Sequence, residues 1–447
     1  MRIQIAEPEA FTTLFRSHLS VTPSSAITGI STDSRECRVG DLYIAIKGER
    51  SDGHEFIQQA KDNGAVACLA GREVPVNNAL DLFIVENPVE TLGAFAQSYR
   101  RLFDLPVIGI TGSNGKTSTK ELLKHVLSVK ENVHATLGNF NTSIGLPLSI
   151  FQISDDHTIS ILEMGASEPG EIAYLCSIAE PTHGLITNIN SSHLEGFGSI
   201  DEIAKTKGAL FEALAEGTAF VNKADDRIRG LNVVGNGISY GLTPDCDFPA
   251  DIHHESDGSI TLTIDAHEIA TSSHNLSFIK NVIAASAVCN HFSIEWTTFE
   301  KRVQSFQAPK GRCEVKQMDH ITIIDDTYNA NLSSTIAAID YLNAFSGNGR
   351  RIFVFGDMLE LGNESLSHHR KVGEHCIKMD LDAVFTIGKD TRETNLAIHS
   401  DIFHKHFNSK RDLADELKVW IKEGDKILIK GSRGMLMETI LKDIETK

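Results

Sequence analysis

Residues 106–120 read PVIGITGSNGKTSTK: an apolar run, a turn punctuated by glycine, then a pattern of helical period. Gly112 and Gly115 let successive backbone N–H groups turn inward, and such a nest at a helix N-terminus holds phosphate oxygens. Lys116 is then expected to reach the terminal phosphates of a nucleotide, and the Thr117 hydroxyl to hold Mg2+. Gly112, Ser113, Asn114, Gly115, Lys116 and Thr117 are therefore candidate nucleotide contacts. The segment departs from the strict G-x-x-x-x-G-K-[ST] form, because Ile110 occupies the first-glycine position. The strand before it and the helix after it are the context the motif requires.

Outward from this loop, a strand-then-helix rhythm runs from about 103 to 310. TISILEMG leads into GEIAYLCSIA, and HGLITNI into SIDEIAKTKGALFEAL. Apolar β-rich runs followed by helical patterns predict a parallel sheet covered by helices. The stretch DCDFPADIHHESDGSITLTIDAHEIATSS shows strand-like alternation and predicts a small antiparallel insert. From about 311, RRIFVFGD, LDAVFTIG and DKILIKGS read as buried strands, with ADELKVWIK and LMETILKDI as helices. The fold expected is α/β in three domains: a smaller α/β domain at 1–102, a central P-loop ATPase domain with a parallel sheet at 103–310, and a doubly wound domain at 311–447.

Composition excludes several classes of function. Sixty acidic residues against 42 basic ones give a formal net charge of −18, which repels nucleic acid over most of the surface. No run approaches the roughly 20 apolar residues of a membrane helix, and no basic-then-apolar leader opens the sequence. A cytoplasmic monomer is expected, acting on small molecules, with neither nucleic acid nor membrane as partner. Cys37, Cys68, Cys176, Cys246, Cys289, Cys313 and Cys376 are scattered without a CxxC pair and read as reduced thiols.

Val221-Asn222-Lys223-Ala224-Asp225 imitates the guanine-reading NKxD motif. However, the strand 158–163 ends in Glu163-Met164-Gly165 where a GTP switch has DxxG, and no SAK-like motif follows. ATP is the expected nucleotide, with Asn222 and Asp225 in a turn at a strand end.

At TGSNGKTSTKE the chain resembles the Mur ligase family, and further motifs agree in order over nearly its whole length. GNFNTSIGLP (138–147) is similar to the family's GNFNN-x-IG-x-P segment, and Asp326–Asn331 (DTYNAN) to DxYNANP, with Leu332 replacing the proline. GDMLELG (356–362) and KGSRGM (430–435) are also close to family motifs, whereas the DNPR motif of the sister ligase that adds a third residue is absent. Thr32–Arg35, with Gly40-Asp41 and Asp52-Gly53-His54, resembles the family's UDP-sugar domain.

The resemblance implies transfer of the γ-phosphate of ATP to a peptide carboxylate, then attack of an amine on the acyl phosphate. It implies UDP-N-acetylmuramoyl-tripeptide and D-alanyl-D-alanine as substrates in cell-wall synthesis, with Mg2+, two ions, as cofactor. Lys116, His193, Lys207 and Arg312 are the catalytic candidates. Glu163, at a strand end, is a hard oxygen ligand suited to Mg2+. His193, within Asn188-Ile-Asn-Ser-Ser-His193-Leu-Glu, is implied to help hold the second ion. Lys207, within Ile203-Ala-Lys-Thr-Lys207-Gly208, falls where the family's lysine is carbamylated by CO2 into an anionic metal ligand. That chemistry needs a neutral amine, hence a depressed pKa. Lys205 lies two residues away, and Ala209 stands where glutamate is usual.

Asn281 resembles an adenine-contacting asparagine that opens a helix. Ser277-Phe278 replace the usual residues before it, and helix capping explains an asparagine equally well. Arg312 is implied to bridge to the nucleotide phosphates when domains close, and closure shields the acyl phosphate from water. Asp326 is implied to bond the ribose. Tyr328, Asn329 and Asn331 are implied to shape the cleft, and Lys430, Ser432 and Arg433 to receive substrate, with Asn139 and Asn141 as further substrate candidates. Ser34 and Arg35 are candidates for the uridine diphosphate, arginine being suited to bidentate phosphate contacts. Two other readings stay open. One is a related ligase adding another amino acid, of tripeptide-forming or folylpolyglutamate synthase type; GNFN and YNAN speak against it. The other is a nucleotide-switched binding protein, which would have no use for Glu163, His193 and Lys207 together.

Overall fold

The computed structural model describes residues 1–48, 51–76, 80–256, 258–345, 349–379, 381–399 and 401–445. Among them, strands form three sheets of five, nine and six strands. In the first, Gly29–Ser31, Asp41–Ile44, Ala65–Ala70 and Asp81–Ile84 run parallel, and Arg2–Gln4 pairs antiparallel at one edge. Arg2 fixes that edge by two bonds to the buried Asp41 carboxylate, at 2.7 and 2.9 Å.

In the central sheet, Val107–Thr111 lies between Ile159–Glu163 and His183–Ile186, all parallel. Val107–Thr111 and Ile159–Glu163 are buried at every position, so their near-continuous apolar sequences are those of strands covered on both faces. Side by side and parallel, the three strands deliver 112–117, Glu163 and 187–193 to one edge, the carboxyl edge where open α/β sheets bind ligands.

The expected antiparallel insert is instead a continuation of this sheet. Tyr240-Gly241 pairs in parallel with Phe248-Pro249, after which Phe248–His254, Ile260–Ile264 and His267–Ser273 add on antiparallel. Their alternation has a clear cause: Ala250, Ile260, Leu262, Ile264 and Ile269 are buried in one core with the helix Leu276–His291, leaving the other positions more open. In the third sheet, Ile321–Asp326, Lys426–Lys430, Arg351–Gly356, Ala383–Ile387 and Phe403–Phe407 are parallel neighbours, with Glu314–Met318 antiparallel at one edge. Asp326 and Lys430 thus end adjacent strands in register.

The first and central domains share one hydrophobic core through the helix Pro88–Arg100. Phe11, Phe95 and Phe151 meet edge-on at 5.2–6.1 Å, a preferred aromatic geometry. The Tyr99 hydroxyl donates to the Ile153 carbonyl at 2.9 Å and accepts from the Glu7 amide at 3.1 Å. The buried Arg100 guanidinium serves the carbonyls of Ala179, Phe103 and Leu105 at 2.7–3.3 Å. The seven cysteines are free thiols, and among the described residues no helix is long and apolar enough to cross a membrane.

Tyr99→Phe keeps the ring and orphans both backbone partners. It is expected to lower the unfolding free energy by about 1–3 kcal/mol, read from urea unfolding; an unchanged midpoint would remove this hydroxyl from the interface.

Candidate active site

The phosphate loop owes its shape to glycine and to a brace. Gly112 has φ +144° and a Cβ there would lie 2.0 Å from Thr187 Oγ1. Gly115 sits at φ +82° as the N-cap of the helix Lys116–Leu127, and no side chain caps that helix. Its first N–H groups therefore remain available to an anion. The brace comes from 187–190. Ser113 N donates to the Asn188 carbonyl at 2.9 Å, Asn114 N to Asn188 Oδ1 at 3.0 Å, and Thr187 Oγ1 to the Asn114 carbonyl at 2.6 Å. Asn222 in turn bonds the Thr187 carbonyl at 3.0 Å, and Asp225 accepts from the Ile189 amide at 2.8 Å while capping the helix Asp226–Arg229. The NKxD imitation is thus scaffolding, and neither residue borders the cleft.

That cleft, of roughly 810 Å³, is bordered by the phosphate loop, Asn139, Asn141, Glu163, His193, Asn281, Arg312, Asp326, Tyr328, Asn329, Asn331 and Lys430. It is large enough for a drug-sized ligand with room to spare. Lys116 folds back onto the Gly112 carbonyl at 2.7 Å. Desolvation lowers the pKa of its amine; the Glu163 carboxylate opposes this and Arg312 adds to it.

Glu163 is buried, and both its oxygens are engaged: Thr117 Oγ1 donates at 2.8 Å and Asn141 Nδ2 at 2.8 Å. Asn141 therefore orients a carboxylate here, a role its sequence position did not suggest. Lys207, on the helix Ile200–Glu212, is buried with its amine 5.9 Å from the centre of the Phe197 ring. It makes no hydrogen bond or ion pair among the described residues. Burial first, then the Lys116 charge, with Glu171 opposing both, bring its pKa down to about 7. A substantial neutral fraction near pH 7 follows, as carbamylation requires. Lys205 is the contrasting case, exposed and paired with Glu202 at 3.4 Å.

His193 has φ +51° and its Nδ1 meets the carboxylate of Glu360 from the third domain. Among the described residues, no three His, Cys, Asp or Glu side chains converge as a metal cage. Glu163, Thr117 and His193 still fit Mg2+, which keeps several waters and takes one or two carboxylates plus substrate phosphates.

The third domain closes directly on the phosphate loop. Asn331 caps the helix Leu332–Ala344 in a capping box with Ser334 and donates to Asn114 Oδ1 at 2.7 Å. Asn114 Nδ2 donates to Ser333 Oγ at 2.9 Å. Leu332 occupies the first helical position, where proline is favoured but not needed. The Arg312 guanidinium stacks on the Tyr328 ring at 3.9 Å. Asp326 and Lys430 bond each other at 2.5 Å, with Cys313 N on the other Asp326 oxygen at 3.0 Å and the Asn329 carbonyl on Lys430 at 2.9 Å. Ser432 Oγ accepts from Leu359 N at 2.8 Å, and Arg433 is exposed and paired with Glu438 at 2.6 Å.

Asn281 does not open its helix. Asn275 does, accepting from Ser277 N at 2.9 Å and Phe278 N at 3.2 Å. Asn281 lies further along, its Oδ1 2.7 Å from where a Cβ on Gly115 would stand, so capping does not account for it. Ser34 bonds Gln59 at 2.7 Å, Arg35 folds onto Asp33 at 2.6 and 2.9 Å, and neither borders the cleft. Asn139 borders the cleft. Two further acids reach the site that no motif role marks in the sequence. Glu171 borders the cleft and acts on Lys207, while Glu360 meets His193 across 167 residues; a separation of that length leaves no local pattern.

Gly112→Ala is expected to weaken ADP binding at least tenfold, about 1.4 kcal/mol, because a methyl group there collides with Thr187. Calorimetric titration would show it; wild-type affinity would mean the loop reshapes freely.

Comparison with known proteins agrees with this geometry. The Mur ligase middle-domain model matches residues 110–289, the Mur ligase glutamate ligase domain 311–433, and the Mur ligase family catalytic domain 26–100. A UDP-N-acetylmuramoyl-tripeptide–D-alanyl-D-alanine ligase of Bacillus subtilis is 34% identical over 432 residues, covering 94% of this chain and 93% of its own. The crystal structure of MurF from Acinetobacter baumannii superposes with a TM-score of 0.87 at 29% identity, over 98% of both chains. MurF ligase from Thermotoga maritima, solved in complex with ADP, gives 0.81 at 32% identity over 93% of this chain and 96% of its own. With its phosphate loop, its three sheets and nearly its full length matched in this way, the chain belongs to the Mur ligase family.

Proposed function

We propose that this chain joins D-alanyl-D-alanine to UDP-N-acetylmuramoyl-tripeptide at the expense of ATP, making a peptidoglycan precursor. One observation carries the reading beyond family membership: the uncapped phosphate loop, the Thr117–Glu163 pair and the docked third domain border a single cleft. Residues 1–102 are assigned to the UDP-sugar, 103–310 to ATP and 311–447 to the incoming dipeptide.

The N–H groups of 112–117 and the Lys116 amine hold the nucleotide phosphates. Thr117 and Glu163 would hold one Mg2+ ion, and His193 with a carbamate on Lys207 a second; bound there, the ions would supply charge to screen the transferring phosphoryl group. A carboxylate oxygen of the tripeptide attacks the γ-phosphorus and ADP leaves. The dipeptide amine then attacks the acyl carbon, inorganic phosphate leaves, and the amine gives up a proton. Arg312 adds positive charge where negative charge accumulates, and the docked third domain keeps water from the acyl phosphate. The carbamate forms when neutral Lys207 adds CO2 and loses a proton. Asn281 takes the adenine side of the cleft and Asp326 the ribose. Tyr328, Asn329, Asn331, Lys430, Ser432 and Arg433 shape the dipeptide side, Asn139 the tripeptide end, and Ser34 and Arg35 the uridine diphosphate.

Phosphate release from ATP and Mg2+ is expected only with both substrates present; release with neither would point to a nucleotide switch. Lys116→Ala is expected to abolish turnover, and near-normal turnover would remove the loop from the mechanism. Lys207→Ala is expected to regain part of its activity with small carboxylic acids. At fixed dissolved CO2, the carbamate signal in 13C NMR is expected to grow as pH rises through about 7, because the neutral amine fraction grows. Full activity of Lys207→Ala without supplement, or no carbamate signal, would remove the carbamate.

A further inference from the structure

His193 stands at the boundary of two domains, and its two ring nitrogens have different fates. Nδ1 meets the Glu360 carboxylate, whereas Nε2 makes no hydrogen bond among the described residues. The ring borders the same cleft as Thr117 and Glu163. A histidine that donates one N–H to a carboxylate is locked in the tautomer whose other nitrogen carries a free lone pair.

The loop that presents Glu360 is itself held firmly. Asp357 accepts the amides of Lys389, Asp390 and Thr391 at 2.7–3.1 Å. Met358 N donates to His369 Nε2 at 3.0 Å, and His369 Nδ1 donates to the Ser365 carbonyl at 2.8 Å. Leu359 N donates to Ser432 Oγ, and the Glu360 carbonyl accepts from Glu195 N at 3.4 Å, two residues beyond His193. Three successive residues are thus pinned before Glu360, so its carboxylate is delivered from a rigid edge of the third domain.

We infer that Glu360 is a positioning residue for the second metal ion: by accepting the Nδ1 proton of His193 it aims Nε2 into the cleft. This rests on the two-ion reading above and adds a condition to it. The ligand for the second ion is in its working tautomer only when the third domain is docked, so domain closure and completion of the metal site are one event. The Asn114–Asn331 bond closes the same boundary on the phosphate side.

The Glu360 side chain is 61% exposed, so substitution there leaves the core untouched. The test is Mn2+ binding followed by electron paramagnetic resonance on the full chain with a non-hydrolysable ATP analogue, together with 15N NMR of the His193 ring. Wild type is expected to bind two ions and His193→Ala one. Glu360→Leu should weaken the second ion about 10–100-fold with the first unchanged, and should let the ring populate both tautomers. Glu360→Gln keeps an acceptor oxygen and should lose less than Glu360→Leu. If Glu360→Leu matches wild type, or weakens both ions equally, or leaves the tautomer unmoved while His193→Ala loses an ion, the inference is overturned and the two-ion reading stands. A single ion in wild type, unaffected by His193→Ala, overturns both.

Discussion

Two unit anions held about 4 Å apart repel by roughly 4 kcal/mol at an effective dielectric near 20, and a ligase of this kind must press a nucleotide phosphate against a peptide carboxylate. The features of the cleft answer that repulsion. The helix Lys116–Leu127 begins without a side-chain cap, so its N–H groups and its dipole remain for the phosphate. Lys116 and Arg312 supply full positive charges, and Thr117 and Asn141 hold the Glu163 carboxylate in one orientation. The cost of this arrangement is visible in Lys116 itself, whose charged form is disfavoured by burial. A bound polyanion would reverse that bias.

Cations are effective only if they do not move when the charge shifts, and the scaffold around the loop is built for stillness. Thr187, Asn188 and Asn190 hold the loop from one neighbouring strand end, and Asn222 with Asp225 hold that segment from the next. The result is a relay of short polar contacts across three adjacent parallel strands. Behind it, the shared core of the first two domains anchors the sheet through Tyr99 and Arg100. Lys207, buried on the helix Ile200–Glu212, is the complementary case. A lysine buried in this way loses its proton easily, so it brings little fixed positive charge at neutral pH.

The third domain completes the enclosure by small polar contacts: Asn331 and Ser333 on Asn114, and Glu360 on His193. Bonds of this kind are individually worth about 0.5–1.5 kcal/mol, so each holds the third domain only modestly. Glu360 meets His193 and Asn331 meets Asn114, which ties docking of this domain to both His193 and the phosphate loop.

The phosphate loop, the strand-then-helix rhythm, the three domains and the family are legible in the order of residues alone, because each depends on signals that are local. Glycines at 112 and 115, apolar runs of strand length and short ordered motifs are readable without knowing what lies across the cleft. The alternation at 248–273 predicts an insert and not a sheet extension, since periodicity reports that one face is buried and not which sheet a strand joins. The partners emerge only when the chain folds. Folding separates buried Lys207 from exposed Lys205, moves Asn141 onto Glu163, pairs Asp326 with Lys430, and sets Asn281 against Gly115 while Asn275 takes the cap. Each of these is a contact or a burial created by chain reversal over tens to hundreds of residues, and desolvation and long-range pairing leave no mark in the spacing of neighbours.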